Sequence, residues 1–214
     1  MLDGARESVA AAARRLASAG LVLGSAGNVS VRAGDRVAVT PTGAALAQLD
    51  AADVVVVDLD AAESPETATS ELALHLGAYR RFDAGAVVHT HSPVATALAC
   101  VLHELPVIHY QMLSLGGPIR VAPYETFGTP ELARVTLDAL EGRCAVLMSN
   151  HGTLAIGPDL ETAVERSLLL EWASELYWRA SAIGAPRVLD DAQISDYRAA
   201  VTRRGYGVVA GSRP

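Results

Sequence analysis

The chain has 214 residues, half of them apolar, and carries 17 basic against 24 acidic side chains for a net charge of −7, which is enough for one compact core. Its acidic balance, with basic residues in scattered pairs such as Arg14-Arg15 and Arg203-Arg204 rather than stripes, argues against a nucleic-acid partner. No apolar run approaches the roughly 20 residues of a bilayer-spanning helix, and the first residues lack the basic-then-apolar plan of a signal peptide, so no membrane partner and a cytoplasmic location are expected.

The first periodic segment is a helix over 7–19, with Val9, Ala13 and Leu16 at helical spacing and Gly20 as its stop. Gly24-Ser-Ala-Gly-Asn opens as a flexible loop and runs into a hairpin. Val29 and Val31 lie on one arm, Val37 and Val39 on the other, and the turn falls at Ala33-Gly34-Asp35. Thr40-Pro-Thr-Gly breaks the second arm, a short helical stretch follows around 44–48, and 54–58 is a fully buried strand. A polar loop over 61–68 leads to Thr69 and Ser70, either of which can cap a helix over 71–81.

Strands and helices then alternate. Strand 86–91 is followed by helix 93–102, short strands near Val107 and Arg120, helix 130–140, and strands 145–149 and 153–156. A long amphipathic helix over 160–183 and a last helix over 192–203 precede a Gly-rich tail from about residue 205. Cys100 and Cys144 sit in apolar stretches without metal-type spacing and are expected to be small buried hydrophobes in a reducing compartment. With no repeat and no dividing linker, 1–214 is expected to be a single α/β domain with a mobile tail.

The sharpest chemical signal is His89-Thr90-His91. On a strand, residues i and i+2 project from one face, so both imidazoles point the same way. Two ligands on one rigid strand need only one or two more to complete a zinc site, and His151, in Asn-His-Gly between two strands, is the natural third. Taken alone, the pair reads equally well as half-buried histidines bonded to backbone groups.

Glu71 is expected in the first turn of its helix, where a carboxylate suits the macrodipole and also suits proton transfer beside a metal. Thr69 and Ser70 bring hydroxyls and unpaired backbone amides where a phosphate can dock. Gly27-Asn28 and Thr42-Gly43 offer two further loops with the ingredients of an anion nest, or simply of a turn. No Walker-type or GxGxxG pattern is present, which disfavours a nucleotide.

Taken in order, several motifs resemble the class II aldolase/adducin family from about residue 5 to residue 206. They are Gly24-Ser-Ala-Gly-Asn-Val-Ser, Thr40-Pro-Thr-Gly, Thr69-Ser-Glu, Val87-Val-His-Thr-His-Ser, Ile108-His-Tyr, Ala122-Pro-Tyr-Glu-Thr-Phe-Gly and Asn150-His-Gly. The resemblance implies a three-layer α/β/α fold around a central mixed, largely antiparallel sheet. It implies one zinc ion per subunit on His89, His91 and His151, with Glu71 completing the coordination and acting as the proton-transfer carboxylate. Gly27, Asn28, Thr42, Gly43, Thr69 and Ser70 would hold the substrate phosphate.

The resemblance further implies that Tyr110 reaches a neighbouring subunit's site in a cyclic homotetramer, and that Phe127 and Tyr206 line the aldehyde side. The activity implied is cleavage of a small phosphorylated sugar. The leading expectation is L-fuculose 1-phosphate, a ketose 1-phosphate giving dihydroxyacetone phosphate and L-lactaldehyde. Two positions depart from the pattern: Thr69 stands where serine is expected, and Leu72 where an aromatic is. The family also holds ribulose-5-phosphate 4-epimerases, which use an extra acidic residue after the His-x-His strand; 109–120 contains none. A methylthioribulose-1-phosphate dehydratase and a noncatalytic adducin-like scaffold are the other readings, the last opposed by the intact Glu71 and histidines.

Overall fold

In the computed structural model, which describes residues 2–60 and 65–204, the period-2 segments assemble into one eight-stranded sheet. The strands are β1 (Asn28–Ala33), β2 (Arg36–Val39), β3 (Val55–Asp58), β4 (Ala86–Thr90), β5 (Glu104–Leu105), β6 (Ile119–Ala122), β7 (Ala145–Met148) and β8 (Gly152–Gly157). Their order is β3-β2-β1-β4-β8-β7-β6-β5. Every pairing is antiparallel except β6 with β7.

The helices are α1 (Leu2–Ser18), α2 (Leu72–Arg81), α3 (Pro93–Ala99), α4 (Pro130–Leu140), α5 (Leu160–Ile183) and α6 (Asp191–Arg204). Alternation along each strand divides the sheet's side chains between two faces. Val87, Val146, Met148, Leu154 and Ile156 pack with α2 and α4 on one side. Ala86 and Val88 pack with α1 and the start of α5 on the other, and Ala145, Leu147 and Ala155 pack there with α3 and the middle of α5. The expected three-layer α/β/α arrangement is the one observed. Each fully buried leucine, such as Leu147 or Leu154, contributes about 1.5–3 kcal/mol through the area it removes from water.

Three local expectations are corrected. The short strand near Val107 lies instead at Glu104–Leu105, because Pro106 has no N–H for the ladder; Val107 is a buried loop residue whose carbonyl accepts the Leu189 N–H. Cys100 is exposed and Cys144 only half-buried, both free, because Cys100 caps α3 by its backbone while its side chain falls outside the core. Helix α5 is only partly amphipathic: it buries a stripe including Leu160, Val164 and Leu170, yet Trp172, Trp178 and Ile183 are exposed.

Smaller shifts occur at element ends. Helix α1 begins at Leu2, and the helical stretch near 44–48 is a 3-10 turn, Leu46–Gln48. Two further 3-10 segments, Ala51–Asp53 and Tyr110–Leu115, were not expected. Part of the 61–68 loop, the Gly-rich tail and Tyr206 lie outside the described residues. No described helix is long and apolar enough to cross a membrane.

Candidate metal centre and substrate pocket

The site begins with sheet register. Asn28 on β1 and Leu154 on β8 stand opposite His89 on the central strand β4, so Asn28 and His89 present side chains to the α2 face. His91 lies just past the strand end, still on the side of His89. His151 comes from the tight turn between β7 and β8, where Asn150 takes a left-handed φ of 53° and the His151 N–H bonds the Met148 carbonyl at 3.1 Å.

The turn can approach because residue 152 is glycine. A Cβ there would stand 2.3 Å from the Thr90 carbonyl oxygen and 3.2–3.3 Å from the His91 and His89 rings. Gly27 is constrained in the same way: at φ 88°, a Cβ would meet the His89 carbonyl at 2.8 Å.

These constraints bring the three imidazoles together edge to face, with ring centroids 4.8–4.9 Å apart. Nitrogens from all three rings lie within 4.8 Å of one another. His89 donates Nδ1–H to the Thr153 carbonyl at 2.8 Å, which leaves its Nε2 lone pair facing His91 Nε2 at 2.9 Å. Burial holds His91 down to about 4, assisted by His89 and His151, and also lowers His151. Both rings are therefore neutral near pH 7 and offer lone pairs.

Glu71 closes the cluster. Its Oε2 lies 3.1 Å from His89 Nε2 and its Oε1 3.3 Å from His151 Nε2. Burial alone would push its carboxyl up; His89, the Asn28 amide and His151 outweigh that and hold it below the ordinary carboxylate value. Oε1 is buried with no hydrogen-bond partner. Converging lone pairs and an orphaned carboxylate oxygen fit a divalent cation, which would take three imidazoles and one carboxylate.

The expectation that Glu71 occupies the first turn of α2 is corrected by one position. It is the residue before the helix, at φ −100° and ψ 20°, and its N–H bonds Thr69 Oγ1 at 3.3 Å. The fully buried Leu72 anchors the first helical turn, leaving Glu71 to bend toward the histidines.

Above the cluster opens a cavity of about 310 Å³. Gly27, Asn28, Thr42, Gly43, Thr69 and Ser70, from three separate loops, all line it. Glu71, His91 and His151 form its metal side, and the exposed Phe127 and Tyr124 line it as well. His89 is wholly buried behind this surface. Tyr110 does not line the cavity: it is half exposed, its ring 4.5 Å from His109 and 5.4 Å from Tyr197.

Sequence reasoning missed what lies behind Glu71. Asn28 donates Nδ2–H to Glu71 Oε2 at 2.8 Å, and its Oδ1 is 2.5 Å from His75 Nε2. His75 Nδ1 is 2.6 Å from Ser30 Oγ, which is 2.6 Å from the Tyr79 hydroxyl. The signal was present: Glu71 and His75 are separated by one helical turn. Glu125 and Asn150, which also line the cavity, were missed as well.

Comparison with known proteins agrees with this geometry. The profile of the class II aldolase and adducin N-terminal domain matches residues 7–178. The 5-methylthioribulose-1-phosphate/5-deoxyribulose-1-phosphate aldolase of Rhodospirillum rubrum is 42% identical over 86% of this chain and 85% of its own. The L-fuculose phosphate aldolase of Escherichia coli is 39% identical over 82% and 84%. A solved L-fuculose 1-phosphate aldolase superposes with a TM-score of 0.87 at 33% identity, covering 93% of this chain and 96% of that one. With its fold, its histidine cluster and these relatives in agreement, the chain belongs to the class II aldolase and adducin family.

Proposed function

We propose that this chain is a zinc-dependent aldolase that cleaves a terminal-deoxy ketose 1-phosphate to dihydroxyacetone phosphate and a short aldehyde. One observation carries the proposal: three imidazoles and the orphaned Glu71 Oε1 converge at a cavity rimmed by hydroxyls and glycine loops. The sequence adds a chemical argument. All 17 basic residues are arginine, so no lysine amine is available here to form a Schiff base with the ketone. A zinc ion held by His89, His91, His151 and Glu71 supplies the positive charge that stabilises the negative charge developing on the substrate oxygens.

The residues divide the remaining work. Among the described residues no arginine lines the cavity, so the phosphate is held by the amides of Gly27 and Gly43, the hydroxyls of Thr42, Thr69 and Ser70, the remaining Asn28 amide hydrogen, and the approach to the α2 N-terminus. As the C3–C4 bond breaks, the C4 hydroxyl loses its proton and becomes the aldehyde. The bonding electrons stay on C3, and Glu71, once it has taken up a proton from solvent, delivers it to that carbon. Tyr110 of a neighbouring copy accepts the hydroxyl proton as it passes its own to water, which balances the proton that Glu71 takes up, and the aromatic side chains of Phe127 and Tyr124 pack on the terminal methyl group.

Self-association as a homotetramer is supported by apolar side chains left in solvent on one chain, among them Leu23, Val101, Tyr110, Trp172, Trp178 and Ile183. L-Fuculose 1-phosphate and 5-deoxyribulose 1-phosphate both end in a methyl group, so both fit the same aromatic pair; they would yield L-lactaldehyde and acetaldehyde. The test is to incubate zinc-loaded protein with these two, with L-rhamnulose 1-phosphate and with L-ribulose 5-phosphate, following triose phosphate against epimer. Triose phosphate from a terminal-deoxy substrate is expected. Epimer alone, or loss of water without carbon–carbon cleavage, would replace the proposal.

A further inference from the structure

Five buried polar side chains run in a line from the last turn of α2 to the metal side of the cavity: Tyr79, Ser30, His75, Asn28 and Glu71, none more than 6% exposed. Each contact in the line is 2.5–2.8 Å. The direction of every hydrogen bond follows from its last member, because a carboxylate only accepts. Asn28 must therefore face Glu71 Oε2 with its NH₂ and His75 with its oxygen. His75 must then carry its proton on Nε2, leaving Nδ1 bare to accept from Ser30 O–H, whose oxygen accepts from the Tyr79 hydroxyl. At the far end the Tyr79 oxygen is bonded by the backbone of Val87.

We infer that His75 is a positioning residue which, acting through Asn28, pins Oε2 of Glu71 and leaves Oε1 as the oxygen available for chemistry. This rests on Glu71 being the proton-transfer carboxylate. The two oxygens differ in the structure: Oε2 has the Asn28 amide, whereas Oε1 is buried, unpartnered and turned to His151. A neutral imidazole is required throughout, since a charged ring would donate from both nitrogens and leave the Ser30 hydroxyl hydrogen opposed. Burial supplies that neutrality by holding His75 down to about 3. With all polar atoms matched, the chain has one low-energy direction, and a carboxylate held from behind keeps its angle when substrate arrives.

The test separates two amides that each copy half of the imidazole. The glutamine of His75→Gln places its nitrogen where Nε2 stood and keeps the donor to Asn28. The asparagine of His75→Asn reaches only the Nδ1 position and loses it. With zinc-loaded protein and a cleaved ketose phosphate, His75→Gln is expected to retain most of kcat. His75→Asn is expected to lose about 10–100-fold in kcat, with KM and zinc content little changed. Equal kcat for the two variants at full zinc content would overturn the inference.

A readout independent of turnover is the nitrogen-15 spectrum of the histidine rings in the full-length wild-type protein. The His75 ring is expected as the neutral Nε2–H form across neutral pH, and in Ser30→Ala it is expected to keep that form, because the Asn28 oxygen held by Glu71 still requires a donor on Nε2. A wild-type ring carrying its proton on Nδ1 would also overturn the inference, whether or not His75→Asn folds. If the wild type releases no triose phosphate, the aldolase proposal fails by itself, and the ring tautomer still decides the orientation of Asn28.

Discussion

Asn28 joins Glu71 to His75, its amide 2.8 Å from one and its oxygen 2.5 Å from the other, so the Glu71 carboxylate is oriented by a side chain on a different element. Strand β1 supplies Asn28 and α2 follows Glu71, and the two meet only because β1 lies beside β4 in the sheet. Glu71 is thus fixed by tertiary structure rather than by its own helix.

Glu71→Gln removes the exchangeable proton while keeping the shape. Metal binding and substrate binding are expected to persist in part, with turnover reduced about a thousandfold or more, beyond the 10²–10⁴ range typical of general acid–base contributions only if zinc is also weakened. Steady-state kinetics with parallel zinc analysis would check this. Undiminished kcat would remove Glu71 from the proton-transfer role.

His91→Ala is expected to abolish zinc-dependent stabilisation as well as activity. A ligand that binds only the folded state raises stability with its free concentration, so the wild-type melting temperature should climb with added zinc and that of the variant should not. A variant that still climbs in parallel would show that His91 is not a ligand.

Gly152→Ala tests the approach of the His151 turn to β4. The added methyl would lie 2.3 Å from the Thr90 carbonyl oxygen, and backbone on both sides must shift to admit it. The expected cost is about 1–3 kcal/mol, read from urea unfolding, together with weaker zinc binding because the three imidazoles no longer converge. Unaltered stability and zinc affinity would mean the turn is looser than its contacts indicate.

Much of this site was legible beforehand because strands and turns carry chemistry at fixed spacing. His89 and His91 announce themselves by period 2, and Thr69-Ser70-Glu71 by its place before a helix. Tyr79, Ser30 and His75 did not, since each is unremarkable in its own segment and acquires meaning only when α2 packs on β1. The fold was legible for a similar reason: the apolar alternation of β4, β7 and β8 implies two covered faces. The exposed Cys100 was misjudged because apolar neighbours in sequence do not say which side of a helix meets the core.

Ser70→Ala separates substrate holding from chemistry. Ser70 is exposed and lines the cavity, so its hydroxyl would serve the phosphate alike in ground and transition states. Loss of such uniform binding raises KM with kcat nearly unchanged. About tenfold in KM is expected, the equivalent of roughly 1.4 kcal/mol. A fall in kcat with constant KM would instead place Ser70 among the groups acting on the reacting carbons.

His75 also makes the metal-free protein sensitive to acid in a predictable direction. Burial, with a smaller push from His89, lowers it from 6.5 to about 3. As pH falls below about 6.5, the unfolded chain binds a proton there that the folded chain refuses, so stability present above that pH is lost progressively down to about 3. Glu71, also lowered, adds loss in the same direction at still lower pH. Each pH unit inside the window costs about 1.4 kcal/mol for one such group. Urea unfolding of metal-free wild type and His75→Gln at about pH 6.5 and about pH 5 isolates the histidine, because every other group titrates in both proteins. The wild type should lose about 2 kcal/mol more than the variant over that interval. Parallel losses would show that His75 takes up its proton in the folded state, and the one-directional chain through Asn28 would lose its neutral member.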